Sequence, residues 1–596
     1  MADANERQLD SDVRPPLVNG YVALEFEELA TLLELLGESA FRTRAYRNFA
    51  ELLRSLPESI SAVRARGELG ALAGVGKAIA AKVEQLARDG RIEALERARA
   101  EVPPRLVELL RIAGLGPAKA RKLWREGGIT SLEELRDACR EGRVAAIGGF
   151  SARAQEKLLP LIEAALETRR YALLAEGLTL AAQLLDDLAR VGATLARTAG
   201  ALRRGVEIVD ELVVVVAGLA PSEVARAITE GNALDARARV ELEPRASWPA
   251  AQVLARLADG RGPKIRVRCA SEQGFAEAMV IETADPAHLE ALSRRAEELE
   301  TSLHSIAAGT RDEDEIYLAL GLPRTPPELR EGALLGAVPD GLLPPRGVRG
   351  VFHVHTSWSD GTGSIVEMAR AAREAGFEYV GISDHSRAAS YANGLDEARL
   401  REQALAVEVA RREVRGIEIF HGVEVDVMVD GALDLPDDAL AGLDFVVASI
   451  HTALQLDHAA QTRRILRAVS HPLVTVLGHP TGRLLLARPG YSFDLEAVAD
   501  AAAANGTFLE INASPGRLDL SPPLVRRAAA RGARFCINPD AHEARGFGDV
   551  ALGVAQARRA GLRVDQVLNG EGASAVTATL RARRASARAR LGRPER

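Results

Sequence analysis

The chain has 596 residues, 47% hydrophobic and 27% charged, with a formal net charge of −7. At roughly 150 residues per domain this allows about four domains with cores of their own, and the ordinary apolar share excludes wholesale disorder. The acidic start MADANERQLDSD and the lack of a long uncharged apolar run argue against an export signal or a membrane span, and three scattered cysteines argue against a disulfide scaffold or a thiolate zinc site. A reducing, cytoplasmic location is the expectation, and binding to nucleic acid must come from local patches, because the whole-chain field repels phosphate.

From Tyr21 to about Arg170 the apolar residues recur at helical spacing, as in LEFEELATLLELLG. Three breaks resemble one another: LAGVGKAIAAKVEQL at Leu72, IAGLGPAKARKLWRE at Ile112 and AIGGFSARAQEKLLP at Ala146. Each sets glycines at a helix-helix turn and then opens a helix with cations, so backbone N–H groups and a helix N-terminus point outward. Gly74, Gly76, Lys77, Lys82, Gly114, Gly116 and Lys119 are the candidate phosphate contacts, and such contacts are sequence-nonspecific and salt-sensitive.

Between about Leu178 and Gly332 the pattern turns mixed, with VEIVDELVVVVAG, KIRVRCA and EAMVIETA read as strands. ALLGAVPDGLLPPR, at 333–346, reads as a linker. The chain ends in seven arginines between Arg581 and Arg596, read as a solvated tail with an auxiliary phosphate contact as the alternative.

Nine of the eleven histidines lie between His353 and His542. Seven apolar runs in that window, VFHVHTSWSD, YVGISDH, IFHGVEVD, FVVASIH, VTVLGHP, FLEIN and FCINPDAH, end in histidine, carboxylate or amide and alternate with helical stretches. Alternation implies parallel strands, and a closed (β/α) barrel gathers their C-terminal ends on one face. His353, His355, Asp360, His385, Glu424, His451, His479, Asp540 and His542 then form a nitrogen and oxygen ligand set too large for one ion. It suits two or three Zn²⁺ or Mn²⁺ ions, and clustered divalent ions activate water and hold a phosphate. His421, His458 and His471 read as structural.

HVHTSWSDG, GISDHS, GVEVD, SIH, GHPTGR, EIN and DAH, in this order, resemble the polymerase-and-histidinol-phosphatase (PHP) domain. That resemblance implies a distorted (β/α)7 barrel and a trinuclear metal centre at the nine residues above. It implies catalysis by Asp360, His385 and Glu424, with Arg483 as either a phosphate clamp or a helix-start salt bridge.

The whole chain resembles the bacterial family-X DNA polymerases that carry a C-terminal PHP domain, through FRTRAYRNFAELLRSLP at Phe41, AGALRRGVEIV at Ala199, DEIYLALGLPRTPPELREG at Asp314 and YANGLDEARL. The implied fold class is multidomain: an all-α helix-hairpin-helix N-terminal region, an α+β nucleotidyltransferase-like palm and thumb, and a C-terminal α/β barrel. The implied domains are a helical DNA-binding domain at 20–100, helix-hairpin-helix fingers at 101–175, the palm at 176–268, a thumb at 269–332, the linker, the PHP domain at 347–575 and the Arg-rich tail at 576–596.

The family's palm needs an Asp-x-Asp pair and a third Asp to hold two Mg²⁺. Aligned on Arg203, Arg204 and Glu207, the pair falls on Glu211 and Val213, and the third position holds Arg266. A cation belongs badly where cations must bind, so Mg²⁺ binding and nucleotidyl transfer are expected to be lost. Lys82 stands where animal relatives carry a lyase lysine, and a plain DNA contact is the expectation.

The reading is a repair protein acting as a metal-dependent 3′-to-5′ exonuclease on gapped, nicked or other 3′ ends of DNA, a monomer with no membrane partner. A gap-filling polymerase with a PHP exonuclease and a non-catalytic DNA-end scaffold are the alternatives.

Overall fold

The structure, a computed structural model, describes residues 19–56, 60–72, 74–112, 114–231, 240–245, 252–257, 262–308, 310 and 312–592. The acidic start of the chain, Arg593 and Arg596 lie outside the described residues. No helix among the described residues is long and apolar enough to cross a membrane. Two compact units meet between Thr168 and Arg169.

The first unit is helical. Helix Lys77–Asp89 starts at Gly76 and buries Ile79, Val83 and Leu86, spaced by four and three, before Gly90 stops it in the left-handed region. Helix Pro117–Gly127 repeats the plan from Gly116, burying Ala120 and Leu123 and ending on Gly128. Proline at its first position fits, because that N–H has no helical acceptor. Phe26, Tyr46, Phe49, Leu53 and Val83 share the core.

The second unit opens with a five-stranded sheet in the order Leu195–Ala199, Glu211–Ala217, Lys264–Ala270, Gln252–Leu257, Val240–Arg245, in which only Glu211–Ala217 and Lys264–Ala270 run parallel. The valine run is buried on both faces. Leu212, Val214 and Val216 pack with Leu184 and Leu188 of helix Leu174–Arg190 and with Val224 of Pro221–Glu230, while Val213 and Val215 face Phe275 and Met279. EAMVIETA, expected as a strand, lies in helix Phe275–Thr283. Its residues are buried nearly all round, so no polar face betrays the helical period.

Beyond residue 349, the runs Gly350–Val351, Tyr379–Ile382 and Glu418–His421 pair in parallel, as do Glu424–Asp426, Val447–Ser449, Val476–Leu477, Phe508–Asn512 and Arg534–Asn538. Parallel bridges His385–Glu424 and Val354–Ala541 join the two sheets at both margins. Phe352, Tyr379, Phe420, Phe445 and Phe508 form one aromatic cluster.

Residues 573–590 correct the expectation of a solvated tail. They form helix Ala573–Arg590, whose Val576 and Leu580 join that cluster, while Arg583 donates to the carbonyl of Val474 (2.8 Å), Arg588 to that of Ala441 (2.6 Å), and Arg584 pairs with Asp444 (3.2 Å). The arginines that composition assigns to solvent satisfy carbonyls and an acid of the folded domain. The segment read as a linker is likewise packed: Leu343 is buried, donates its N–H to Leu562 O (2.8 Å) and accepts from Arg558 (2.6 Å).

Candidate metal centre

The strand ends bring the candidate ligands into three overlapping groups. His355, Asp360, His385 and His542 form the first, His353, His355 and Asp540 the second, His385, Glu424 and His451 the third; within each group the ligand atoms lie within 4.8 Å of one another. Glu424 is central. Its carboxylate lies 3.3 Å from His353, 3.6 Å from His355, 2.7 Å from His385, 3.4 Å from His451 and 3.1 Å from His479. His479 stands outside the three groups and reaches the centre through that contact.

The electrostatics are those of a cation site. Glu424 and Asp540 are buried, which disfavours their charge, yet the surrounding imidazoles, His353 first, hold both carboxyls well below the usual range. Burial opposes charge on His385 and His451, and Glu424 with its neighbours pushes their pKa values up to about 11 and about 9. His355 moves the other way, down to about 3, through burial and the charges of His542 and His385. Nε2 of His353 and both ring nitrogens of His355 are buried and make no hydrogen bond. Buried orphan imidazole nitrogens facing clustered carboxylates suit divalent cations, and a donor set of nitrogen and oxygen without sulfur fits Zn²⁺ or Mn²⁺.

Several residues outside the ligand set support it. Glu510 accepts from His353 Nδ1 (2.8 Å) and from Asn538 (2.9 Å), and Asp426 faces His451 Nδ1 at 3.1 Å. A carboxylate behind a ligand fixes the ring and its tautomer. Asp384 is buried under Thr356, Ser359 and Gln403 and shapes the loop that carries Asp360. Arg517 comes within 3.6 Å of Asp540. Glu510 ends an apolar run and Asp384 precedes a ligand, which singles them out, but their supporting roles need the third dimension.

Of the two expectations for Arg483, a phosphate clamp and a salt bridge, its contacts match the salt bridge, with Glu207 as the acid. Its guanidinium pairs with Glu207 of the mixed-sheet region and donates to the carbonyls of Arg517 (2.9 Å) and Leu518, so its hydrogen bonds stay within the protein. The histidines read as structural have other partners: His421 with Gln403 at 3.1 Å, His458 with Ser492 at 2.9 Å and His471 with Asp437 at 3.2 Å.

In the mixed sheet, Val213 is the register partner of Arg266. Arg266 reaches Glu211 at 2.9 Å and pairs with Glu282. Arg203 makes two bonds to Glu313 (2.8 and 2.7 Å), and Arg204 donates to Thr283 O (2.7 Å).

In the helical unit, Gly74 (φ +78°) and Gly114 (φ +84°) take the left-handed turn position that favours glycine. Gly76 and Gly116 have extended backbones, and a Cβ on either would meet nothing within 4 Å. Lys77 opens the first of these helices. Lys119 Nζ holds Gly114 O at 2.8 Å, and Lys82 Nζ sits 5.4 Å from the Tyr46 ring centre.

Residues 19–92 match the family model of the helix-hairpin-helix domain, 106–159 that of the SAM-like helix-hairpin-helix tandem, and 352–514 that of the PHP domain. The protein is thus a helix-hairpin-helix protein joined to a PHP domain. Over 569 residues, 93% of this chain and 98% of the relative, it is 31% identical to the DNA polymerase/3′-5′ exonuclease PolX of Bacillus subtilis (strain 168), and it belongs to the PolX family. It is also 31% identical over 228 residues, 36% of this chain and 88% of the relative, to a probable phosphatase of Thermoanaerobacter sp. (strain X514). A probable phosphatase of Acetivibrio thermocellus is 29% identical over 202 residues, 32% of this chain and 78% of that protein.

Proposed function

We propose that this protein is a metal-dependent phosphodiesterase that shortens DNA from 3′ ends, and that its palm no longer transfers nucleotides. The observation that carries the reading is the convergence of His353, His355, Asp360, His385, Glu424, His451, Asp540 and His542 into three groups whose ligand atoms lie within 4.8 Å. With His479 these residues would hold two or three Zn²⁺ or Mn²⁺ ions. Bound there, the ions would activate a water nucleophile and neutralise charge on the scissile phosphate and the departing 3′ oxygen.

The chain's own residues keep that site in register. Glu510 and Asp426 hold His353 and His451, and Glu424 stands between ligands of separate groups. We read the parallel strands with their two closing bridges as the distorted (β/α)7 barrel, and the five-stranded sheet with the helices after it as palm and thumb. The helix-hairpin-helix turns leave open space at Gly76 and Gly116, which suits close approach of a DNA phosphate to the backbone.

A gap-filling polymerase is the rival. It requires carboxylates where the sheet has Val213 and Arg266, and Arg266 already binds Glu211 and Glu282. The deciding experiment incubates a 5′-labelled primer on a gapped template with the protein and Mn²⁺, with and without the four dNTPs. Chelator-sensitive shortening in both lanes is the expected result; lengthening with dNTPs would overturn the reading of the palm, and an inert primer would overturn the nuclease.

A further inference from the structure

A cavity of about 260 Å³ lies between two loops that follow strands carrying candidate ligands at their ends. One loop follows strand Val447–Ser449 and contributes Leu454, Gln455 and Leu456; the other follows Val476–Leu477 and contributes Arg488, Pro489 and Tyr491 among others. The first loop starts at His451 and the second at His479, so both leave from candidate ligands and the cavity belongs to the same end of the strands. Loops at that end of a parallel barrel are where substrates sit.

The loops are held firmly without any ligand. Arg464 donates to the carbonyls of Thr452 (2.9 Å) and Met428 (2.8 Å), fixing the backbone after His451. The second loop is a thin hairpin, with Tyr491 N–H on Thr481 O (3.0 Å), Leu484 bridged to Arg488, and Arg488 donating to Gly482 O (2.8 Å). Glycine is needed in it twice: a Cβ at Gly482 would come within 2.6 Å of the Tyr491 ring, and one at Gly490 within 2.8 Å of Thr481.

The lining has two characters. Leu454, Leu456, Pro489 and Tyr491 offer an apolar and aromatic wall, while Gln455 and Arg488 offer polar groups. Arg488 spends one guanidinium nitrogen on Gly482 O and lines the cavity with the rest of a donor-rich side chain, beside the Gln455 amide. A planar heteroaromatic ring with acceptors on its edge satisfies wall and donor together, and the volume falls below the range that takes drug-sized ligands, which suits one ring system.

We propose that this cavity receives the base of the 3′-terminal nucleotide of the strand being shortened. The proposal rests on the nuclease reading and adds what that reading lacks, a place for the leaving nucleotide. Contact through stacking and one donor tolerates any of the four bases. The terminal base must leave its duplex stack to enter, and this is easiest at a mismatch, so mismatched 3′ ends are removed faster than paired ones.

Two measurements test it. In the first, metal-free protein in chelator is titrated into duplex DNA carrying the fluorescent base 2-aminopurine at the 3′-terminal or the penultimate position. A fluorescence change on binding is expected for the terminal probe alone, and Gln455→Trp or Pro489→Trp, both exposed rim positions, removes it at protein concentrations that saturate the DNA. In the second, Mn²⁺-loaded protein acts on a normal 3′ end and on one whose last sugar lacks a base. The abasic end is expected to show a KM at least tenfold higher in the wild type, and the rim variants erase that difference by raising the KM of the normal end towards that of the abasic one. Equal responses of the two probes, or a base preference that survives both rim variants, overturn the pocket while leaving the nuclease standing; a wild type that shortens no end overturns both.

Discussion

Val213 and Arg266 are register partners on adjacent parallel strands, and the guanidinium of Arg266 lies 2.9 Å from Glu211 and also pairs with Glu282. On the proposed reading of this sheet as a palm, a position that calls for a metal-binding carboxylate holds a valine, and a cation of the chain's own pairs with the neighbouring acids. Val213→Asp alone is expected to leave primer extension undetectable, because Arg266 neutralises the new acid. Val213→Asp with Arg266→Asp is the smallest change with any prospect of extension. Incorporation of dNTPs by the unmodified protein, or by the single variant, would contradict this account of the palm.

Arg483 and Glu207 form an ion pair with side chains only 16% and 19% exposed. Removing one partner of such a partly buried pair should cost more than the roughly 0–1 kcal/mol of an exposed pair and less than the roughly 3–5 kcal/mol of a fully buried one, since the remaining charge is only partly solvated. Glu207→Ala is expected to lower the urea midpoint of the second unit accordingly, and Arg483→Ala to match it, while the double variant loses less than the sum of the two. Additive losses in this cycle would show that the pair is uncoupled.

The gathering of the candidate ligands was legible because they lie at the ends of apolar runs, and strand alternation with parallel pairing brings those ends to one face. Val213 and Arg266 each lie in a run legible as a strand, and the register sets the two opposite one another. Glu510 and Asp426 lie within the runs FLEIN and IFHGVEVD, but their work of steadying His353 and His451 shows only in the contacts they make, and Arg517 carries no signal in the sequence for its approach to Asp540. Arg483 sits in a ligand-bearing motif, yet its hydrogen bonds go to Glu207, 276 residues earlier, and to two carbonyls, a choice that only tertiary packing makes. The arginine-rich end misled for a related reason: composition records charge, but not the carbonyls of Val474 and Ala441 that the arginines meet.

The overlap of the three ligand groups predicts a stoichiometry pattern. Asp360 belongs to one group, whereas His355 and His385 each belong to two. Elemental analysis of Mn²⁺-loaded protein should find two or three ions per chain, one fewer in Asp360→Ala, and two fewer in His355→Ala or His385→Ala. Chelation should lower the melting temperature, since an ion present at a thousandfold above its Kd contributes about 4 kcal/mol. Equal losses in all three variants would point to a single ion.

His421 supplies a pH signature outside the ligand set. Burial pushes its pKa down to about 4, with Asp444 and Glu408 pulling up and Arg411 down, and it sits 3.1 Å from Gln403. Its unfolded value is near 6.5, so between the two pH values the unfolded chain binds a proton that the folded one refuses. The stability contributed by neutral His421 is complete above pH 6.5 and lost as pH falls towards 4, a change of about 3 kcal/mol at most. His421→Asn removes that dependence. The stability gap between wild type and variant, from urea titrations, should therefore shrink from pH 7 to pH 4, and parallel profiles would assign the acid sensitivity elsewhere.

The two glycines of each hairpin turn separate folding from DNA binding. Gly74 and Gly114 have φ of +78° and +84°, so Gly74→Ala and Gly114→Ala should each cost roughly 1–2 kcal/mol through backbone strain. Gly76 and Gly116 sit at helix N-caps with extended backbones, and a Cβ on either touches nothing in the chain. Alanine there should cost the fold under about 1 kcal/mol. It places a methyl group where a phosphate would meet the backbone, and the affinity for gapped DNA should fall tenfold or more. Lys77, Lys82 and Lys119 substituted by Gln should instead weaken binding evenly across sequences and lower the slope of log affinity against log salt by about one unit each. If Gly76→Ala and Gly116→Ala bind gapped DNA like the wild type, the hairpin turns do not grip the backbone, and the phosphate contacts must be sought on another face of the helical unit.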